Sequence, residues 1–233
     1  MLTRVLEPEA MDTLDEARDY DAIDHREVNN LFAGDALVAL QQTGLLTAAG
    51  SCHVIDIGTG TARIPIELVR RAREEGLAKG LIVAAVDLAA EMLVVAKENV
   101  AAAGMADMIR LERLDVKTLP YPDERFAAVL SNSIVHHIPE PAEAIAEAVR
   151  VTRPGGLLFF RDLRRPNDQT ELDRLVAVHA AGGTDSQRAM LAASLHAALT
   201  VDEVAAIVTS LGFPAGDVRA TSDRHWTWRS VKP

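Results

Sequence analysis

The chain has 233 residues, 24 Lys and Arg against 34 Asp and Glu, a formal charge of −10, and a single cysteine, Cys52. Length and composition are those of an ordinary soluble domain large enough to bury a core. The negative charge excludes a duplex-binding surface built on phosphate contacts, 4% aromatics excludes a base-stacking platform, and one cysteine excludes an internal disulfide.

The first 35 residues carry ten acids and only three bases, so most of the charge sits in one arm and the remaining body is close to neutral. Residues 14–40 have helical apolar spacing, with Val28, Leu31 and Phe32 on one stripe. The start of the chain has no apolar core of signal-peptide length, and no apolar run reaches membrane-spanning length, so a cytoplasmic location without membrane association is expected.

Beyond the arm, apolar runs at 52–57, 81–87, 126–131 and 157–161 read as strands buried on both faces of a parallel sheet, and 109–115 alternates with period 2. Helical patterns fall between them. One starts at Ile64 and ends near Gly76, one runs from Ala89 to Ala103 before Gly104, and one spans Pro141 to Val151. Two amphipathic helices follow at 168–181 and 186–198, split by Gly182 and Gly183. Thr200 and Glu203 form a capping box for a helix ending at Leu211. Residues 217–221 and 224–230 alternate around a turn at Ser222-Asp223 and predict an antiparallel edge hairpin. The strand–helix order predicts a doubly wound α/β sheet with right-handed crossovers.

Chemistry-bearing residues fall at the strand ends. Asp56-Ile-Gly58-Thr-Gly60 is a strand, a glycine turn and a helix start, where backbone can approach a ligand. Asp87 ends the second strand and is placed to accept hydrogen bonds from ribose hydroxyls; a helix-capping role is the plain alternative. Asp115 ends the third, facing the same crevice, or simply forms a turn. Ser131 to Ile138 follows the fourth strand and contains His136 and His137; adjacent histidines cannot both point one way. Arg161 and Asp162 stand where the fifth strand emerges, with Arg164 and Arg165 in the loop above, placed to clamp a carboxylate or phosphate or to pair with the acidic arm or the neighbouring helix. No His, Cys or Asp spacing suggests a metal centre.

These motifs, in this order over residues 50–165, resemble class I S-adenosylmethionine-dependent methyltransferases, most closely those acting on small molecules such as quinone precursors. The resemblance implies a Rossmann-like seven-stranded sheet with an antiparallel last strand, a helical N-terminal lid over 1–45, and a body over 46–233 whose helices at 168–198 lie near the site. It implies S-adenosylmethionine as cofactor, with Asp56, Gly58 and Gly60 around its methionine part, Asp87 on the ribose, Leu88 on the adenine, Asp115 and Val116 at the adenine amine, and Ser131 below the methionine end. Ala62 stands where many members have a third glycine, which implies altered close packing at the turn. The acceptor is expected to be a small molecule, not a nucleic acid. His136, then His137, are candidates for base or substrate contact, and Tyr20, His25, Arg161 and Arg164 for substrate recognition.

Three other readings stay open. A cofactor-binding protein without catalysis uses the same fold. An RNA or protein methyltransferase is disfavoured by the charge and by the absence of an added binding domain. A nicotinamide-dependent oxidoreductase is disfavoured because Gly58-x-Gly60-x-x-Arg63 lacks the third glycine and Asp87 lies 27 residues past Gly60, beyond the usual spacing of about 20. Acceptor atom, oligomeric state and pathway are not readable from the sequence.

Overall fold

The computed structural model describes residues 2–7, 13–23 and 25–233, so Glu9, Asp12 and Asp24 of the acidic arm lie outside the described residues. Its strands are β1 (Cys52–Ile57), β2 (Leu81–Asp87), β3 (Ile109–Arg113), β4 (Phe126–Asn132), β5 (Thr152–Leu163), β6 (Val218–Ala220) and β7 (His225–Val231). They form one sheet in the order β3-β2-β1-β4-β5-β7-β6. Neighbours from β3 to β5 are parallel, β7 is antiparallel to β5, and β6 is antiparallel to β7. This is the Rossmann-like sheet expected from the sequence, with β7 inserted beside β5.

The apolar runs are continuous because helices cover both faces. On one face Val54, Leu130 and Phe159 pack with α2 (Arg26–Gln42) and α3 (Arg63–Glu74). On the other, Ile55, Val129 and Phe160 pack with α5 (Pro141–Val151), α8 (Val201–Ser210) and the buried Trp226 and Trp228. Successive strand residues alternate between the two clusters, as the period-2 geometry of a strand requires. α4 (Ala90–Ala102), after β2, adds Ala96 and Val100 to the first face, and the pair α6 (Gln169–His179) and α7 (Asp185–Ala197), after β5, forms a separate small cluster with Leu163. No helix among the described residues is long and apolar enough to cross a membrane.

Two strands differ from expectation. β3 stops at Arg113, because Asp115 turns the chain by accepting the Lys117 amide N–H at 2.9 Å. β5 starts five residues early and runs through Pro154-Gly155-Gly156. Proline and glycine there signal a break, yet the Gly155 amide donates to the Lys232 carbonyl at 2.8 Å and Lys232 donates back to Gly156 at 2.9 Å. The register shift opposite Phe126 and Ala128 absorbs the extra residues as a bulge.

The N-terminal arm divides. α1 (Leu14–Ala22) opens on a capping box between Thr13 and Glu16 and lies against α4, with Ala17 packed among Ala89, Met92 and Val95. α2 belongs to the core: Phe32, Leu37 and Leu40 are fully buried, and Phe32 stacks on Phe159 at 5.2 Å. Burying those three side chains contributes roughly 5–9 kcal/mol, comparable with the whole net stability of a domain, about 5–15 kcal/mol. Within the segment expected as a lid over 1–45, α2 is thus packed into the core, while Val28 and Asn29 at its start also line a cleft at the strand ends. Phe32→Ala should lower unfolding stability by about 3–5 kcal/mol in urea denaturation. A loss below about 1 kcal/mol would contradict the placement of α2 in the core.

Candidate active site

β1 pairs with β2 on one side and with β4 on the other, so the chain leaves its two flanks in opposite directions and a crevice opens beyond the strand ends. A cleft of about 1040 Å³ occupies this position. One end is walled by the glycine turn, Asp87, Ala89, Met92 and Tyr20; the other by Glu7, His136, His137, Leu163 and residues of α6 and α7.

The glycine end follows from backbone geometry. Gly58 has φ 71° and Gly60 φ 55°, in the left-handed region that glycine enters without a Cβ penalty. A Cβ on Gly58 would overlap Ile134, whereas beside Gly60 the nearest atom is Tyr20 Cε1 at 4.0 Å, leaving space toward the cleft. The Asp87 carboxylate holds the turn: Oδ2 accepts the Gly60 N–H at 2.7 Å and Oδ1 the Ala89 N–H at 2.9 Å. Ala62 is buried and itself adopts φ 61°. The missing third glycine thus shows as a backbone cost, of order 1 kcal/mol for a non-glycine residue, where altered packing was expected. The turn keeps its shape because Asp21 of α1 pairs with Arg63 at 2.5 Å, and Asn99 of α4 donates to Asp21 and to the Thr61 carbonyl.

The opposite end is a cluster of ionisable groups. His136, 3% exposed, sits in a 3-10 turn just after β4. Its Nδ1 lies 2.5 Å from Asp162 Oδ1. Asp162, buried on β5, is fixed in turn by the amide N–H groups of Val135 and Leu163, each at 2.6 Å. Burial alone would depress the His136 pKa, but the charge and hydrogen bond of Asp162, with Glu7 beyond, raise it; the same pairing holds Asp162 below the usual carboxylate range against its burial. Glu7 Oε1 stands 3.4 Å from His136 Nε2 and 3.3 Å from His137 Nδ1, and burial raises the Glu7 pKa. Residues 2–7 are strapped down by Arg4, which donates to the carbonyls of Ala197 at 2.7 Å and Ile138 at 2.9 Å.

Of the residues expected from the sequence, Gly58, Gly60, Asp87, Tyr20, His25, His136 and His137 line the cleft. Tyr20, a candidate for substrate recognition, lies beside the glycine turn. Asp56 and Ser131 are buried beneath the cleft and do not line it. Leu88, Asp115 and Val116 lie outside its wall; Asp115 is engaged by the Lys117 backbone and by Lys117 Nζ at 3.1 Å. Of the two readings of the strand-end arginines, the structure shows the ion pairs. Arg161 lies over Phe32 and Phe159 and bonds Asp35 at 2.7 Å and Thr227 at 3.0 Å, which ties α2 to the sheet. Arg164 bonds Glu171 and the Asp223 carbonyl, each at 3.0 Å. Asp162 and Glu7 are the residues the sequence reading passed over. Asp162 was legible as the first acid at an emerging strand end; Glu7 had no local signal.

Residues 55–160 match the family model described as a methyltransferase domain. Over these residues, just under half of its length, the chain carries a methyltransferase domain, set in the sheet of the class I S-adenosylmethionine-dependent fold. It is similar to a demethylmenaquinone methyltransferase of Desulfitobacterium hafniense, 30% identical over 113 residues, covering 48% of this chain and 43% of the relative. It is also similar to a phosphatidylethanolamine N-methyltransferase of Cereibacter sphaeroides, 33% identical over 105 residues, covering 45% and 47%. The chain spans about half the length of these curated relatives. A structure of a SAM-dependent methyltransferase from Aquifex aeolicus superposes with a TM-score of 0.60 over 94% of this chain and 98% of that one at 18% identity, a likeness of fold.

The class implies S-adenosylmethionine, a ligand with a sulfonium and an ammonium group, and the methyltransferase domain suits it. Asp56 and Asp87 are both buried at adjacent strand ends, and neither has a Lys or Arg partner among the described residues. Burial raises both pKa values, with Asp56 pushed up to about 7 and the Asp87 charge adding to it. Two buried carboxylates without a counter-charge favour a cationic ligand. Asn132 adds a buried Oδ1 on the cleft wall without a hydrogen-bond partner. Because the Asp56 pKa is raised above its unfolded value, its stabilising contribution is complete below about pH 4 and is lost as pH rises through about 7. In cofactor-free protein, Asp56→Asn should therefore gain melting temperature relative to wild type between pH 5 and pH 8. A difference that does not change with pH would contradict it.

Proposed function

We propose that this chain transfers a methyl group from S-adenosylmethionine to a small molecule held at the histidine end of the cleft. The observation that carries the reading is the single cleft joining the Gly58–Gly60–Asp87 end to the His136–His137–Glu7 end. When bound, the cofactor supplies an already electrophilic methyl group, so the chain's own task is orientation, exclusion of water and handling of one proton.

Asp87, with both oxygens held by backbone amides, keeps lone pairs for the ribose hydroxyls. Asp56 lies beneath the same turn and offsets positive charge. Tyr20 closes over Gly60 and shields this end from water. At the far end Asp162 orients His136, and Glu7 completes a polar surface that anchors the acceptor and eases loss of its proton. The apolar side chains of Leu163, Met190 and Leu191 share that wall with Gln187 and Ser194 and suit a partly apolar acceptor. Proteins similar to this chain include one named for a quinone precursor and one for a phospholipid headgroup amine, so the likeness favours a small acceptor without fixing its reacting atom.

Asp87→Ala should weaken S-adenosylmethionine binding by about 1–3 kcal/mol, the range for hydrogen bonds to a charged acceptor. Calorimetry giving wild-type affinity would remove Asp87 from the site. S-adenosylhomocysteine release by the purified protein should depend on the low-mass fraction of a cell extract. Release that depends only on the RNA or protein fraction would contradict a small-molecule acceptor.

A further inference from the structure

The cluster at the acceptor end is wider than a hydrogen-bonded ion pair. Glu7 Oε1 stands 3.4 Å from His136 Nε2 and 3.3 Å from His137 Nδ1, and the three atoms lie within 4.8 Å of one another. A carboxylate bonded to an imidazolium sits at about 2.7–2.9 Å. Yet Glu7 Oε1 is buried and makes no hydrogen bond among the described residues, an arrangement that is costly to leave unfilled. A tetrahedral zinc ion with bonds of about 2.0–2.1 Å separates its ligand atoms by about 3.3 Å. Both Glu7–histidine separations have this value.

We propose that Glu7, His136 and His137 form a divalent transition-metal site on the wall of the cleft. The surroundings are those of a metal site as well. His136 binds Asp162 through Nδ1, which fixes the ring and directs Nε2 toward Glu7, the carboxylate–histidine–metal arrangement. Asp162 is itself held by two backbone amides. The strap that brings in Glu7 is anchored by Arg4 and by the Val5 amide on the His196 carbonyl at 3.2 Å, while Ser194 Oγ lies 3.4 Å from the second Glu7 oxygen. Two imidazoles and one carboxylate suit zinc and its neighbours, whereas magnesium and calcium require an oxygen shell. All three ligands line the cleft, so the fourth position faces it, as in sites that keep one place for water or substrate. Here the inference meets the function proposed above: a heteroatom of the acceptor takes that place when it binds. The sequence expectation of no metal centre rested on spacing, which could not bring Glu7 to the histidine pair.

The test uses the full chain stripped of metal and titrated with Zn²⁺, followed by calorimetry and by metal content after desalting. One ion per chain is expected, with affinity falling at least 100-fold in Glu7→Gln and in His137→Ala, and about 10–100-fold in Asp162→Asn. Co²⁺ in the same protein should show tetrahedral ligand-field absorption that Glu7→Gln abolishes. S-adenosylmethionine affinity, measured in parallel, should stay within twofold of wild type in each variant, which shows that the variants are folded. It also separates the two proposals, since failure to bind zinc and failure to bind the cofactor are read independently. Absence of stoichiometric zinc, or binding that persists in both Glu7→Gln and His137→Ala, would overturn the assignment.

Discussion

β1 is hydrogen-bonded on both sides, to β2 and to β4, and it is the strand from which the chain departs in both directions. Crossovers on its two flanks go opposite ways, so no connection covers the strand ends between them. The groups assigned a chemical role gather around that uncovered edge. The glycine turn follows β1, Asp87 ends β2, the His136 turn follows β4, and Asp162 lies near the end of β5. A tight turn at β1 is required because a side chain on Gly58 would overlap Ile134. Asp87 then locks the turn from the neighbouring strand through the Gly60 amide.

The acidic arm acquires its meaning from this edge. Part of its charge is committed to specific partners. Asp35 pairs with Arg161 and fastens α2 to the sheet, Asp21 pairs with Arg63 and steadies the glycine turn, and Glu7 enters the cleft between two imidazoles. Among the described residues, arm and arginine segment meet through Arg161, whose buried guanidinium pairs with the half-exposed Asp35. Arg164 and Arg165 pair instead with Glu171 and Glu203. The two ends of the cleft consequently differ in kind. The glycine end holds buried carboxylates without a counter-charge. The histidine end holds a buried acid–imidazole network in which Asp162 is already committed.

Much of the fold was legible because two-sided burial leaves its mark as unbroken apolar runs, and because helix ends carry local chemistry, as at Thr200 and Glu203. The path of β5 through Pro154-Gly155-Gly156 was not, because its backbone groups are satisfied by Lys232, far away in the chain. Within the site, strand-end position was the readable signal. It marked Gly58, Gly60, Asp87 and His136, all on the cleft wall. It left open whether Arg161 clamps a ligand or pairs with the arm, because only the tertiary structure brings Phe32, Phe159 and Asp35 around it. It could not place Glu7, since the strap reaches the cleft only through tertiary contacts of Arg4 and Val5. Ala62 is a third kind of difficulty: the residue was noted, but its left-handed backbone belongs to the turn and not to alanine.

The account's central claim is that one cleft seats the cofactor at its glycine end and presents the transferable methyl toward His136. The most direct measurement is a crystal structure of the chain with S-adenosylhomocysteine bound. The ribose should lie on Asp87, the ammonium group near Asp56 and Asn132, and the sulfur should face the side of the cleft formed by His136 and Glu7. A ligand seated away from Asp87, or with its sulfur turned from His136 toward bulk solvent, would contradict it.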